Sequence, residues 1–189
     1  MSERQSQNLF AVEHRELAAE YRDTDRTITL WHQKASDGRI PHLTDFGFHR
    51  LTSDWGYRFL ISSDKFLDAA VFVIYGLPFA RLLDLPEKPQ PGASMLRQLP
   101  ARYREVFIEG CTEVIVQPEP VRFNGAAVHS VGEIELYRAA FMPLLGPNSS
   151  RPLIFGSFNC RSIIQESASD AFRIYDWLGE RTRREERPG

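Results

Sequence analysis

The spacing of apolar residues changes period twice along this chain, and those changes constrain the fold more than any other feature. Trp55, Tyr57, Phe59 and Ile61 alternate with Gly56, Arg58 and Leu60, the period of two that marks a strand. Residues 69–75 form an apolar run rich in β-branched and aromatic side chains, bounded by Gly76 and Pro78. That run reads as a second strand covered on both faces. The period then becomes helical: Tyr103, Val106, Phe107, Gly110, Cys111, Val114 and Ile115 fall at offsets 0, 3, 4, 7, 8, 11 and 12, one stripe of an amphipathic helix. Extended patterns return at 121–128, 133–142 and 153–164.

Proline and glycine punctuate these segments. A short helix is expected from Pro78 to Leu83, and Pro86, Pro89 and Pro91 keep residues 86–92 out of any helix. Ser94 to Gln98 supplies one turn, Pro100 suits the first position of the long helix, and Pro118 and Pro120 mark its end. Asn124-Gly125 reads as a bulge or kink in the third extended segment, Pro143 as the end of the fourth, and 146–152 as a hairpin loop. Upstream, Phe10, Leu17, Ala18 and Tyr21 recur at helical spacing. A second helix is expected from about Arg26 to Ala35, capped by Asp23 or Asp25 and stopped at Asp37-Gly38. Residues 38–54 read as an irregular connection. Downstream, Ala171, Ile174, Tyr175 and Leu178 line one side of a helix after a cap at Ser169 or Asp170, followed by a charged tail. The chain divides into a helical extension (1–53), a central domain (54–165) and a C-terminal helix with tail (166–189).

Two strands, a helical stretch and three strands combine as a hairpin, a crossover and a meander. The fold class is therefore α+β: one five-stranded antiparallel sheet with helices on one face and flanking helices at both ends. Segments 134–141 and 153–164 carry apolar groups on both faces. The outer face of the sheet is thus expected to be covered too, by the N-terminal helices or by a second subunit.

Composition excludes several functions. With 23 basic against 25 acidic residues the formal charge is −2, which gives no pull toward nucleic acid or an anionic membrane. Two cysteines, Cys111 and Cys160, make neither a disulfide framework nor a four-ligand zinc site, and leave one conceivable bridge. The opening residues, Met1-Ser2-Glu3-Arg4-Gln5, lack an apolar run. The run at 69–75 falls far short of the about 20 residues a bilayer requires. A cytoplasmic location is expected.

The element order resembles the PAS fold over about residues 54–165. Leu30-Trp31-His32, Asp37-Gly38-Arg39-Ile40-Pro41, Trp55-Gly56-Tyr57-Arg58-Phe59-Leu60 and Met142-Pro143-Leu144-Leu145 resemble short, often stand-alone bacterial PAS proteins, especially those of alphaproteobacteria. Two features depart from the pattern. The glycine closing an early strand is displaced, and Gly146-Pro147-Asn148 stands where an Asp-Gly turn is commoner. The resemblance implies a sensory or regulatory protein without a catalytic output module. It would hold a small ligand or a cofactor between the long helix and the sheet, or bind a protein partner. Dimers would form through the flanking helices or the outer sheet face, and signals would leave through those helices.

The candidate ligand-binding residues are Tyr57, Phe59, Phe107, Cys111, Tyr137 and Phe155, with Arg138 or Arg161 as an anion anchor and Gly110 leaving space against the sheet. The cofactor, if any, is not readable. Asn159-Cys160-Arg161 with Gln165 looks like the signature of flavin-binding LOV domains, but it falls in the last strand rather than on a short helix after the second. Haem needs an axial histidine on the long helix, and 100–116 contains none; His129 falls in the loop after the third strand. His42, Asp45 and His49 surround Gly47 in a loop that fixes no coordination geometry. Glu133 and Glu135 share one side of a strand and read as a solvated sheet edge. As an acid–base pair they would support the alternative, an α+β hydrolase or isomerase with a strand-lined pocket. No nucleophile-elbow, phosphate-loop or dinucleotide glycine motif occurs. Neither catalytic nor metal-ligating residues are expected, and the chain reads as a non-enzyme.

Overall fold

The computed structural model describes residues 23–35, 38–47, 55–63, 67–130, 133–146 and 152–164. Helix α1 (residues 23–34) leads to a 3-10 turn at Leu43–Phe46. Strands β1 (Arg58–Ser62) and β2 (Val71–Tyr75) follow, then helices α2 (Leu77–Leu82), α3 (Met95–Gln98) and α4 (Ala101–Val116), then strands β3 (Val121–Ser130), β4 (Glu133–Leu145) and β5 (Pro152–Ile164). The five strands form one sheet in the order β2-β1-β5-β4-β3, each antiparallel to its neighbours. This is the hairpin, crossover and meander read from the order of periods, and the PAS-like arrangement. The helix expected over residues 10–21, the hairpin loop after Gly146 and the C-terminal helix lie outside the described residues.

Helix α4 buries Tyr103, Val106, Phe107, Gly110, Cys111 and Val114. Ile115, at offset 12, has turned about a third of a revolution from Tyr103 at 3.6 residues per turn; it leaves the stripe and is 41% exposed. Pro100 caps the helix from one place earlier than expected. On the side of the sheet facing α4, one buried cluster joins Phe59, Phe72, Phe79, Phe107, Phe123, Phe141 and Phe158. A second cluster on the outer face contains Trp31, Trp55, Leu60, Ala140, Met142, Leu144, Leu153 and Phe155.

The cover over that second cluster comes from within the chain. The Trp31 indole N–H donates to the Pro143 carbonyl at 2.7 Å. Arg58 in β1 donates to Asp23 and Thr27, each at 3.1 Å, and Arg122 in β3 pairs with Asp25. Residue 23 is already helical, so the two aspartates do not cap a helix starting near Arg26. They serve tertiary ion pairs instead, a use that local pattern cannot distinguish from capping.

Three other expectations are corrected. Pro143 lies inside β4, paired with Ile154, rather than ending it. The β3 ladder reaches only Phe141, so Pro143 faces no strand on that side and its missing N–H breaks no pairing. Asn124 and Gly125 pair regularly with Arg138 and Tyr137, and the irregularity falls between Val128 and Ser130. Gly125 serves another purpose: a Cβ there would sit 2.3 Å from the Tyr137 hydroxyl. Finally, β2 is an edge strand with Val73 49% exposed, not a strand covered on both faces.

Candidate functional site

The helix-side interior is where the candidate pocket was expected, and aromatic rings occupy it. Phe107 lies 5.2 Å from Phe59 and 5.3 Å from Phe141, centroid to centroid. Tyr137 stacks on Phe158 at 5.9 Å, and Tyr103 meets Phe158 edge-on at 4.8 Å. The space beside Gly110 is taken by the Phe141 ring, 2.3 Å from where a Cβ would be. Gly156 receives the Phe59 ring in the same way, at 2.2 Å. The glycines therefore admit protein side chains into close packing.

Four of the predicted site residues share this face: Phe59, Phe107 and Cys111, fully buried, and Tyr137, half-buried. The other four do not join them. Phe155 belongs to the outer cluster with Trp55 and Phe46. Arg138 registers with Asn159, and alternation along β4 puts it on the face opposite Tyr137. Arg161 follows Phe155 and Asn159 on the outer face by the same alternation. Tyr57 sits in the turn before β1, 37% exposed. Asn159, Cys160 and Arg161 alternate across the sheet, so they present no common surface. Asn159 is 3% exposed, and neither of its side-chain polar atoms has a hydrogen-bond partner among the described residues.

At one end of the helix-side face lies a polar cluster that the sequence reading only half identified. Glu135, expected at a solvated edge, is buried at 6% exposure. Its Oε2 accepts the Tyr103 hydroxyl and the Arg102 Nε, each at 2.5 Å. Its Oε1 lies 3.2 Å from His129 Nδ1. Glu133 is reached by Ser130 Oγ at 3.2 Å and lies 4.0 Å from His129 Nε2. His129 belongs to β3 rather than to a loop. The signal for this cluster was parity: Glu135 shares the inward register of Tyr137, Ala139 and Phe141, and a carboxylate there requires partners.

The electrostatics follow from those partners. Burial opposes ionisation of Glu135, but the Tyr103 hydroxyl, the Arg102 guanidinium and His129 outweigh it and hold the carboxyl below its usual range. Burial pushes the Tyr103 phenol well up, assisted by hydrogen bonds with Cys160 and Glu135. Both groups move away from neutrality, the reverse of what general acid–base catalysis requires. Cys111, buried among apolar groups, is pushed up to about 12. Both cysteines are free thiols, so no bridge joins them.

A cleft of about 540 Å³ opens beyond the end of α1, lined by Lys34, Arg39, Ile40, Pro41, His42 and Leu145, with Asp45 at its side. Asp45 accepts the His42 backbone N–H at 2.8 Å and so braces the adjoining turn. His49 lies outside the described residues, and no metal-binding cluster of histidine, cysteine and carboxylate occurs among those described. No helix among the described residues is long and apolar enough to cross a membrane.

No family model and no curated protein matches this sequence. Among solved structures, an RNA-binding light-oxygen-voltage receptor is similar with a TM-score of 0.36 and 12% identity, over 70% of this chain and 36% of that one. This chain thus spans about a third of that receptor's length. A sensory box histidine kinase/response regulator from Burkholderia thailandensis is similar with a TM-score of 0.36 and 11% identity, over 72% of this chain and 98% of that one.

Proposed function

We propose that this protein is a cytoplasmic, non-catalytic regulatory module of the PAS type that acts by binding a protein partner. The supporting observation is the helix-side interior: the face of the sheet on which a ligand would lie is packed by the protein's own rings, with Phe141 against Gly110 and Phe59 against Gly156. A domain packed in this way has its surfaces left for signalling. The polar cluster supports the non-catalytic reading, because its carboxylate is committed to Arg102 and Tyr103. The same commitment weighs against the hydrolase or isomerase alternative built on Glu133 and Glu135.

Small-ligand sensing is a second reading, favoured by the cleft beside Lys34, Arg39 and His42. Its volume falls in the range of small-molecule sites, and its basic lining suits a small anion. Native and denaturing mass spectrometry of the purified protein separates the two readings. Partner binding predicts matching subunit masses under both conditions. A metabolite released on denaturation, and retained less by a Lys34→Ala/Arg39→Ala variant, would replace it with the sensing reading.

A further inference from the structure

The two edges of the sheet are built differently. On the outer side of β2, Val71 bridges to Ser94 and the Met95 N–H donates to the Ala70 carbonyl at 2.7 Å, so the segment leading into α3 covers the first part of that five-residue edge. β3, ten residues long, pairs with β4 and with nothing on its other side among the described residues. Its central stretch Phe123–Val128 contains no charge and no proline. The register irregularity comes only after it, between Val128 and Ser130. Ala126 is exposed there, and Val128 is 71% exposed. Proteins guard such edges with lysine, proline, bulges, short strands or a covering segment, because unpaired backbone groups recruit another strand. Among the described residues the middle of β3 has none of these guards.

We propose that the free edge of β3 docks against the same edge of a second copy of this chain, the two strands pairing antiparallel about a two-fold axis. The strand is self-complementary for this arrangement. Its ionisable side chains, Arg122 and His129, stand at opposite ends. With the axis near Ala126, Arg122 faces Ser130 of the other copy and no like charges meet. Arg122 is moreover neutralised by Asp25 within its own chain. The outward side chains along the contact, Asn124, Ala126 and Val128, are small and uncharged, so two copies can approach closely. A foreign peptide adding to this edge would draw its specificity from side-chain pockets beside the strand, which these short side chains do not make. A strand of this length spans about 33 Å. A contact one strand wide buries well under the about 1,600 Å² of a standard stable interface, so the dimer is weak and concentration-dependent. This inference rests on the edge alone and is independent of the regulatory reading.

Sedimentation velocity from micromolar to millimolar protein tests it, with amide hydrogen exchange measured at both ends of that range. The expected result is a monomer–dimer equilibrium in which protection of the β3 amides rises with concentration. Ala126→Lys and Val128→Lys, both at exposed positions, should each shift the equilibrium to monomer while leaving the circular dichroism spectrum and thermal midpoint unchanged. A wild-type chain that stays monomeric throughout the range would overturn the proposal. So would a dimer that persists in both lysine variants with β3 exchange unchanged.

Discussion

The hydroxyl of Tyr103 donates to Oε2 of Glu135 at 2.5 Å, tying the first turn of α4 to the inward face of β4. The contact joins a buried phenol to a buried carboxylate, so each ionisation equilibrium depends on the other group. Replacing Tyr103 with Phe removes a bond to a charged acceptor, and a loss of about 2 kcal/mol is expected in chemical denaturation. Burial pushes up the phenols of both Tyr103 and Tyr75. Their folded-state values exceed the unfolded ones, so their contribution is complete below about pH 10 and is lost as pH rises further. Tyrosinate absorbance should therefore show both titrating above the ordinary phenol value, Tyr103 only as the protein unfolds in alkali.

At the acid end Glu135 has the opposite sign. Its folded value is depressed, so its contribution is present above the ordinary carboxylate range near pH 4 and disappears as pH falls through the folded value. Glu135→Gln should destabilise by about 1–3 kcal/mol at neutral pH. Its stability should also fall less steeply than that of the wild type on acidification, as read from thermal midpoints between neutral pH and pH 3.

Gly110 sets helix propensity against packing. Alanine in the middle of α4 would gain about 1 kcal/mol in propensity, but its Cβ would stand 2.3 Å from the Phe141 ring. Overpacking of this kind costs about 1–3 kcal/mol. Gly110→Ala is expected to be net destabilising, and Phe141→Leu in the same chain should recover part of the loss. A double-mutant cycle in denaturant reads that coupling.

The Trp31 indole is one of the polar ties between α1 and the sheet. Trp31→Phe preserves a ring but leaves the Pro143 carbonyl without this donor, at a cost of about 1–3 kcal/mol. Amide exchange in α1 should accelerate more than exchange in α4, which contacts the other face.

The two thiols should differ sharply. Cys111 is fully buried and pushed up to about 12, so it carries almost no thiolate at neutral pH. In the native protein an aromatic disulfide reagent should modify Cys160, which is half-buried, and reach Cys111 only in denaturant. Rapid modification of both would show that α4 separates readily from the sheet.

The architecture was legible because strand and helix periods differ and the long helix carries a clean stripe. Features decided by neighbours were not. Asp23 and Asp25 have the chemistry of caps, and only the positions of Arg58 and Arg122 show their actual use. The candidate pocket divided for a similar reason. Where both faces of β4 and β5 are apolar, parity cannot say which face meets α4, so the sequence does not separate Phe155 and Arg138 from Phe59, Phe107 and Tyr137, although they lie across the sheet from them. Glu135 was visible as one of a carboxylate pair. Its partners come from β3 and α4, too far along the chain for spacing to connect them.

Pro143 also limits how the meander can misalign. If β3 slid along β4 by two residues toward Leu145, every side chain would keep its face, so hydrophobic patterning alone would tolerate the slip. The shifted strand would then run alongside a residue that has no hydrogen to offer, beside a carbonyl already engaged by Trp31. A ring that costs nothing in the correct alignment thus penalises a slip in this direction.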